Sequence, residues 1–218
     1  TTEIYTLSLH DALPIYADSQ VDLQITFRGF SRPDPQLAAS RLLRRVLAGG
    51  GCSRLHLNLR ERLGIVYSVD AQVAAYDETG CFSIELSTAP ENLLTAVEEV
   101  LGETRKLAAE PVGAEELRRV RQGYFFDLAY SEDSTFEMQV RYGWGELMGM
   151  VKGIDEERAE VEAVDEGTLQ AVARRLFAPA ALNLVAVGPV TATAKRRIEQ
   201  LLRRYAKEFP TSFQPPGP

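Results

Sequence analysis

Apolar residues at 21, 23, 25 and 27 alternate with polar ones, which predicts a half-buried strand over Val21 to Arg28. After Pro33-Asp34-Pro35 the period changes. Leu37, Ala38, Leu42, Val46 and Leu47 recur at helical spacing until Gly49, Gly50 and Gly51 stop them. Ser53 to Leu63 reads as a short second helix with Leu55, Leu59 and Leu63 on one side, ended by Gly64. Ile65 to Tyr76 and Gly80 to Ser87 are β-rich and joined by Asp77-Glu78-Thr79, a predicted hairpin. A helix follows Pro90 to about Ala109, and a longer helical region runs from Gly113 to Gly149 with a break near Ser131 to Ser134. Asp155 to Ala163 is a short helix, and Asp165 is the expected N-cap of the next, with Leu169, Val172, Ala173, Leu176 and Phe177 on one face. Ala181 to Val187 reads as a buried strand, and Thr191 to Phe209 as a last helix.

This order lacks the regular strand-helix alternation of a doubly wound parallel sheet. It predicts an α+β two-layer sandwich, an antiparallel or mixed sheet with helices packed on one face. Thr1 to Ile15 has no secretory-signal pattern, and TLSLHDALPI resembles translated adapter sequence, so residues 1–15 are expected to be a foreign or disordered leader. Residues 16–209 then form one domain, and 210–218 a Pro-rich tail.

Composition narrows the chemistry. The formal charge of −7 makes nucleic acid an improbable partner, and no apolar run is long enough for a membrane-spanning helix. A soluble protein of cytoplasmic or periplasmic type is expected, with the compartment open. Cys52 and Cys81 are too few for a disulfide framework or a thiolate zinc cluster, and their pairing is open. Only His10 and His56 are present, and His10 lies in the leader. No helical turn carries the paired histidines of a self-sufficient hydrolytic zinc site, so no metal is expected to be bound by this chain.

Gly49-Gly50-Gly51-Cys52-Ser53-Arg54 lacks the lysine of a phosphate loop and reads as a turn between helices. Glu98-Glu99, Glu115-Glu116 and Glu156-Glu157 fall on polar helix sides or first turns and read as solvated faces. Tyr142 and Trp144 would pack in the core or line the cleft, with burial tendencies favouring the core, and His56 is expected on a helix surface. Arg60 and Tyr67 flank the reversal at Gly64, which would turn a guanidinium fork and a phenol toward one cleft, groups suited to gripping a peptide carbonyl. Spacing alone favours a plainer reading, surface charge beside a half-buried tyrosine.

Four segments carry a resemblance: Leu47-Ala-Gly-Gly-Gly-Cys-Ser-Arg-Leu, Leu59-Arg-Glu-Arg-Leu-Gly-Ile-Val-Tyr-Ser, Ser87-Thr-Ala-Pro-Glu-Asn-Leu and Val-Ala-Val-Gly-Pro189. In this order, over about Val21 to Leu202, they resemble the M16 metallopeptidases, the family of pitrilysin, insulin-degrading enzyme and mitochondrial processing peptidase. The resemblance implies duplicated α+β domains whose two halves close around a peptide. One half carries zinc on His-x-x-Glu-His, and the other supplies an arginine and a tyrosine seven residues apart that hold substrate. Arg60 and Tyr67 match that pair, whereas His-x-x-Glu-His is absent.

The implied function is therefore the substrate-binding, non-zinc half, with zinc in an N-terminal or separate M16 partner half and a peptide as substrate. Such a half would not be active alone. The strand from Val21 to Arg28 or the hairpin could also pair with extended substrate by its edge. Two rivals stand beside this reading. One is a non-catalytic M16-like scaffold subunit, as the core proteins of the cytochrome bc1 complex are; the other is an unrelated α+β binding module.

Overall fold

The computed structural model describes residues 20–210; the leader at 1–15 with His10, and the tail from 211 onward, lie outside the described residues. Four strands form one sheet in the order β2-β3-β1-β4: β1 (Val21–Gly29), β2 (Val66–Ala75), β3 (Gly80–Thr88) and β4 (Leu182–Val187). Every neighbouring pair is antiparallel. β1 matches β3 from Val21↔Thr88 to Gly29↔Gly80, and β4 on its other side from Asp22↔Val187 to Phe27↔Leu182. The predicted hairpin is β2 with β3, whose register breaks between Val66 and Val69.

Alternation decides which face is dry. Val21, Leu23, Ile25 and Phe27 of β1 are buried, as are Phe82, Ile84 and Leu86 of β3 and Leu184 and Ala186 of β4. Asp22 and Gln24 point to the other side, which carries no helix among the described residues. Two expectations change. β1 is an interior strand with both edges paired, so it has no edge to offer a peptide. β4 is a half-buried edge strand rather than a buried one, with Asn183 and Val187 exposed.

The helical layer covers the dry face. It comprises α1 (Leu37–Ala48), α2 (Leu93–Ala109), α3 (Ala114–Ser131), two short pieces α4 (Thr135–Met138) and α5 (Gly145–Leu147), then α6 (Ile154–Glu162), α7 (Glu166–Leu176) and α8 (Ala192–Glu208). Asp165 caps α7 as expected, accepting from the Thr168 N–H at 2.7 Å. Phe177, at the end of α7, joins the layers by packing edge-on against Phe27 and Phe82, with centroids at 5.1 and 5.3 Å. The Tyr205 hydroxyl of α8 donates to the Phe177 carbonyl at 2.7 Å, and burial pushes that phenol's pKa up.

Candidate functional site

The corner between α1 and β2 is set by two leucines and one glycine. Leu55 and Leu59 are fully buried and anchor a helical stretch that widens to a π turn over His56–Arg62. π turns are local insertions that often accompany functional sites. The turn ends at Gly64, whose φ of +63° is left-handed. There the Gly64 N–H donates to the Arg60 carbonyl at 3.2 Å and the Ile65 N–H to the Leu59 carbonyl at 3.0 Å, closing the helix and reversing the chain. On the strand side, Thr88 Oγ1 donates to the Ile65 carbonyl at 2.7 Å and fixes where β2 begins.

The reversal brings the two candidate residues together. Arg60 Cζ lies 5.3 Å from the centre of the Tyr67 ring, within cation–π range. Tyr67 is 82 % exposed, not half-buried as its strand position suggested, and it sits within the register break at Val66/Val69, next to the buried Val66. Among the described residues Arg60 has one acidic neighbour, the exposed Glu61 at 3.7 Å, and its side chain is 43 % exposed. Neighbouring polar contacts brace the turn from behind: Asn58 Nδ2 donates to Glu99 Oε2 at 2.6 Å, and Arg54 grips Glu116 with two donors at 2.9 and 2.6 Å. The Glu116 bond is the leading reason that the Arg54 pKa is raised. A bidentate Arg–carboxylate pair of this kind restricts both partners.

β2 is an edge strand, and at Ala71 that edge is already occupied. Arg44 Nη1 donates to the Ala71 carbonyl at 3.3 Å, and the Ala71 N–H donates to Asp70 Oδ1 at 2.8 Å. Side chains capping an edge in this way oppose addition of another strand. A peptide pairing along β2 would displace them.

No group of three His, Cys, Asp or Glu able to hold a metal exists among the described residues. His56 has Glu61 at 3.6 Å and no third donor among the described residues, so these do not fit a zinc ion. Cys52 and Cys81 are both free.

Two sequence readings are corrected in the helical layer. Trp144 and Tyr142 are 58 % and 45 % exposed, outside the core. Glu157, read as part of a solvated acidic pair, is buried and is the hub of a polar cluster. It accepts from Arg41 Nη1 at 2.7 Å, from Arg141 Nη1 at 2.6 Å and from the Tyr124 hydroxyl. Burial alone would raise the Glu157 pKa, but the Arg41 charge and the Tyr124 and Arg141 bonds outweigh it and hold the carboxyl below the usual range. Burial pushes the Tyr124 phenol up to about 12. The overlooked signal was periodicity: Glu157 shares its stripe with Ile154 and Val161, the inward face of α6, and with Val164 just past its end.

Comparison with known proteins follows the same lines. The family model described as the Peptidase M16 inactive domain matches residues 11–124, which include Arg60 and Tyr67. "Uncharacterized zinc protease YmxG" of Bacillus subtilis (strain 168) is 28 % identical over 159 residues, 72 % of this chain and 39 % of that protein. An "Uncharacterized zinc protease" of Rickettsia bellii is 27 % identical over 172 residues, 78 % of this chain and 41 % of that protein. The chain thus spans about two-fifths of the length of these relatives. Among solved structures, the peptidase M16 inactive domain from Pseudomonas fluorescens has a TM-score of 0.69 at 22 % identity, covering 81 % of this chain and 43 % of that one. The inactive peptidase domain from Bordetella parapertussis has a TM-score of 0.70 at 14 % identity, covering 83 % of this chain and 99 % of that domain. These two likenesses carry the fold.

Proposed function

The chain belongs to the peptidase M16 inactive domain family, and from that premise we propose that it is the substrate-holding, non-zinc half of a zinc metallopeptidase. The relatives that share its sequence are named zinc proteases and are more than twice as long as the matched segment, which leaves room for a zinc-binding half. Zinc is assigned to that partner half, since the described residues of this chain offer no group that fits it. The observation that carries the reading is the Arg60–Tyr67 pair, a guanidinium stacked on a phenol at 5.3 Å on an exposed corner, both polar ends open.

Such a pair suits a peptide backbone. The guanidinium offers several N–H donors in a fixed fork, and stacking on the ring limits the rotamers it must give up on binding. The Tyr67 hydroxyl donates one more hydrogen bond, to a peptide carbonyl. Both groups hold and orient the substrate chain so that a carbonyl is presented to the partner half in a reactive position. Contacts to backbone rather than side chains imply weak sequence selectivity.

Hydrolysis of a quenched fluorescent peptide by this chain mixed with its His-x-x-Glu-His half tests the role. Tyr67→Phe and Arg60→Ala are each expected to lower kcat by about 10²- to 10³-fold, the usual loss for one preorganised donor. Unchanged kcat/KM in both variants would remove the role. Stable association without any hydrolysis would instead mark a scaffold subunit.

A further inference from the structure

From the distribution of apolar surface we infer that the helical arm 126–151, from the end of α3 through α5, is the surface on which the zinc-binding half docks. This inference rests on the proposed function. Thirteen large apolar side chains stand exposed among the described residues, and nine of them fall in this one stretch of 26 residues. Phe126, Tyr130, Phe136 and Leu147 are each at least 68 % exposed, and Trp144 is 58 % exposed. A concentration of this kind, unlike single exposed apolar residues, marks a surface that another body covers.

Three observations identify the occupant. The chain accounts for only about two-fifths of the length of its relatives, so a body larger than this domain belongs with it. The arm is also acidic at its rim: Glu132, Asp133, Glu137 and Glu146 are exposed and have no cation partner among the described residues. An apolar face with a Lys/Arg rim is the complement. Position supplies the third. The arm lies against the far end of β2, where Val140, Trp144 and Gly145 share a cleft of about 410 Å³ with Val73, Ala75 and Arg32. Tyr67 is at the opposite end of that strand, eight residues away, or roughly 25 Å at the rise of a β-strand. A partner seated on the arm therefore flanks the edge of β2 and reaches toward the Arg60–Tyr67 corner with the substrate path between.

The arm is tied to the domain at its start by the buried Leu128 and by Asp127, which pairs with Arg45 of α1 at 2.5 Å. Arg141 of the arm and Arg41 of α1 converge on Glu157 of α6, which fixes the backbone while Trp144 and Leu147 remain outside.

The test is hydrogen exchange, followed by mass spectrometry, on the full chain with and without its His-x-x-Glu-His half expressed as a separate polypeptide, paired with titration of the two. Protection over 126–151 is expected. Phe136→Ser with Leu147→Ser should weaken association by at least about tenfold, as loss of two apolar anchors does, while Tyr67→Phe leaves association unchanged. Because both substituted side chains are exposed, the thermal midpoint should move little, which separates lost docking from misfolding. Association with no protection of the arm, or with unchanged affinity in the double variant, overturns this inference and leaves the proposed function standing. Failure of the wild-type chain to bind that half at all overturns both. Protection of the arm in the chain alone, through self-association, overturns the choice of partner.

Discussion

The corner at Arg60–Tyr67 and the arm 126–151 both expose aromatic side chains, but they are built in opposite ways. At the corner two fully buried leucines, a left-handed glycine and a hydrogen bond from Thr88 hold two polar-tipped residues in one relation. In the arm many apolar side chains are exposed, and the segment is tied to the domain mainly by polar pairs, a buried carboxylate with its two arginines and Asp127 with Arg45, beside one buried leucine, Leu128. The first arrangement fixes the position of a few atoms, as a substrate contact requires. The second presents area, as a protein contact requires. Exposure of aromatic residues is therefore not one signal: what braces them from behind separates a gripping site from a docking face.

Perturbing each brace breaks the comparison in a graded way. The largest effect is expected at the corner itself, the 10²- to 10³-fold loss of turnover for Tyr67→Phe or Arg60→Ala. Next is Leu59→Ala. It empties a fully buried position under the π turn and should cost about 3 to 4 kcal/mol of stability by denaturant titration, with turnover falling in proportion to the misplaced Arg60. Glu157→Gln removes the acceptor shared by Arg41 and Arg141 and should cost about 3 kcal/mol, because two guanidiniums remain partly buried beside a neutral amide. Limited proteolysis should then begin within 126–151 and spare the corner. Gly64→Ala should cost only about 1 to 2 kcal/mol, all of it from the left-handed backbone, since a Cβ there meets nothing within 4 Å.

The Glu157 cluster also sets an acid limit. Its carboxyl pKa is lower in the folded state than in the unfolded one. The stability it contributes is therefore complete above the unfolded glutamate value of about 4.3 and is lost as pH falls through the folded value. Wild type and Glu157→Gln should differ in thermal midpoint at pH 7 and converge only as pH falls through the lowered folded value. A constant difference across that range would mean that the cluster is stabilised by packing rather than by charge.

Much of this was legible in the sequence. Alternation in Val21 to Phe27 and in Phe82 to Leu86 placed the strands, and glycines at 49–51 and 64 placed the breaks. Spacing alone favoured a plainer reading of Arg60 and Tyr67; the family resemblance singled them out, and the reversal at Gly64 does bring them together. Strand order was not legible, because period-2 patterning reports which face a residue occupies and not which neighbour a strand has. Hence β1, a candidate edge in the sequence, is interior. Trp144 and Tyr142 misled for a different reason: size and aromaticity argue for burial, but the helices among the described residues do not cover this segment. Glu157 looked solvated because its neighbour Glu156 is, although its place on the Ile154–Val161 stripe marked it as inward.

The central claim, that this chain holds substrate while another half supplies the metal chemistry, is tested most directly by one paired measurement. Zinc content and peptide hydrolysis are determined for the chain alone and for its mixture with the His-x-x-Glu-His half. The expected result is no bound zinc and no hydrolysis by the chain alone, with chelator-sensitive hydrolysis in the mixture that falls in Tyr67→Phe. Stoichiometric zinc and hydrolysis by the isolated chain would contradict the account.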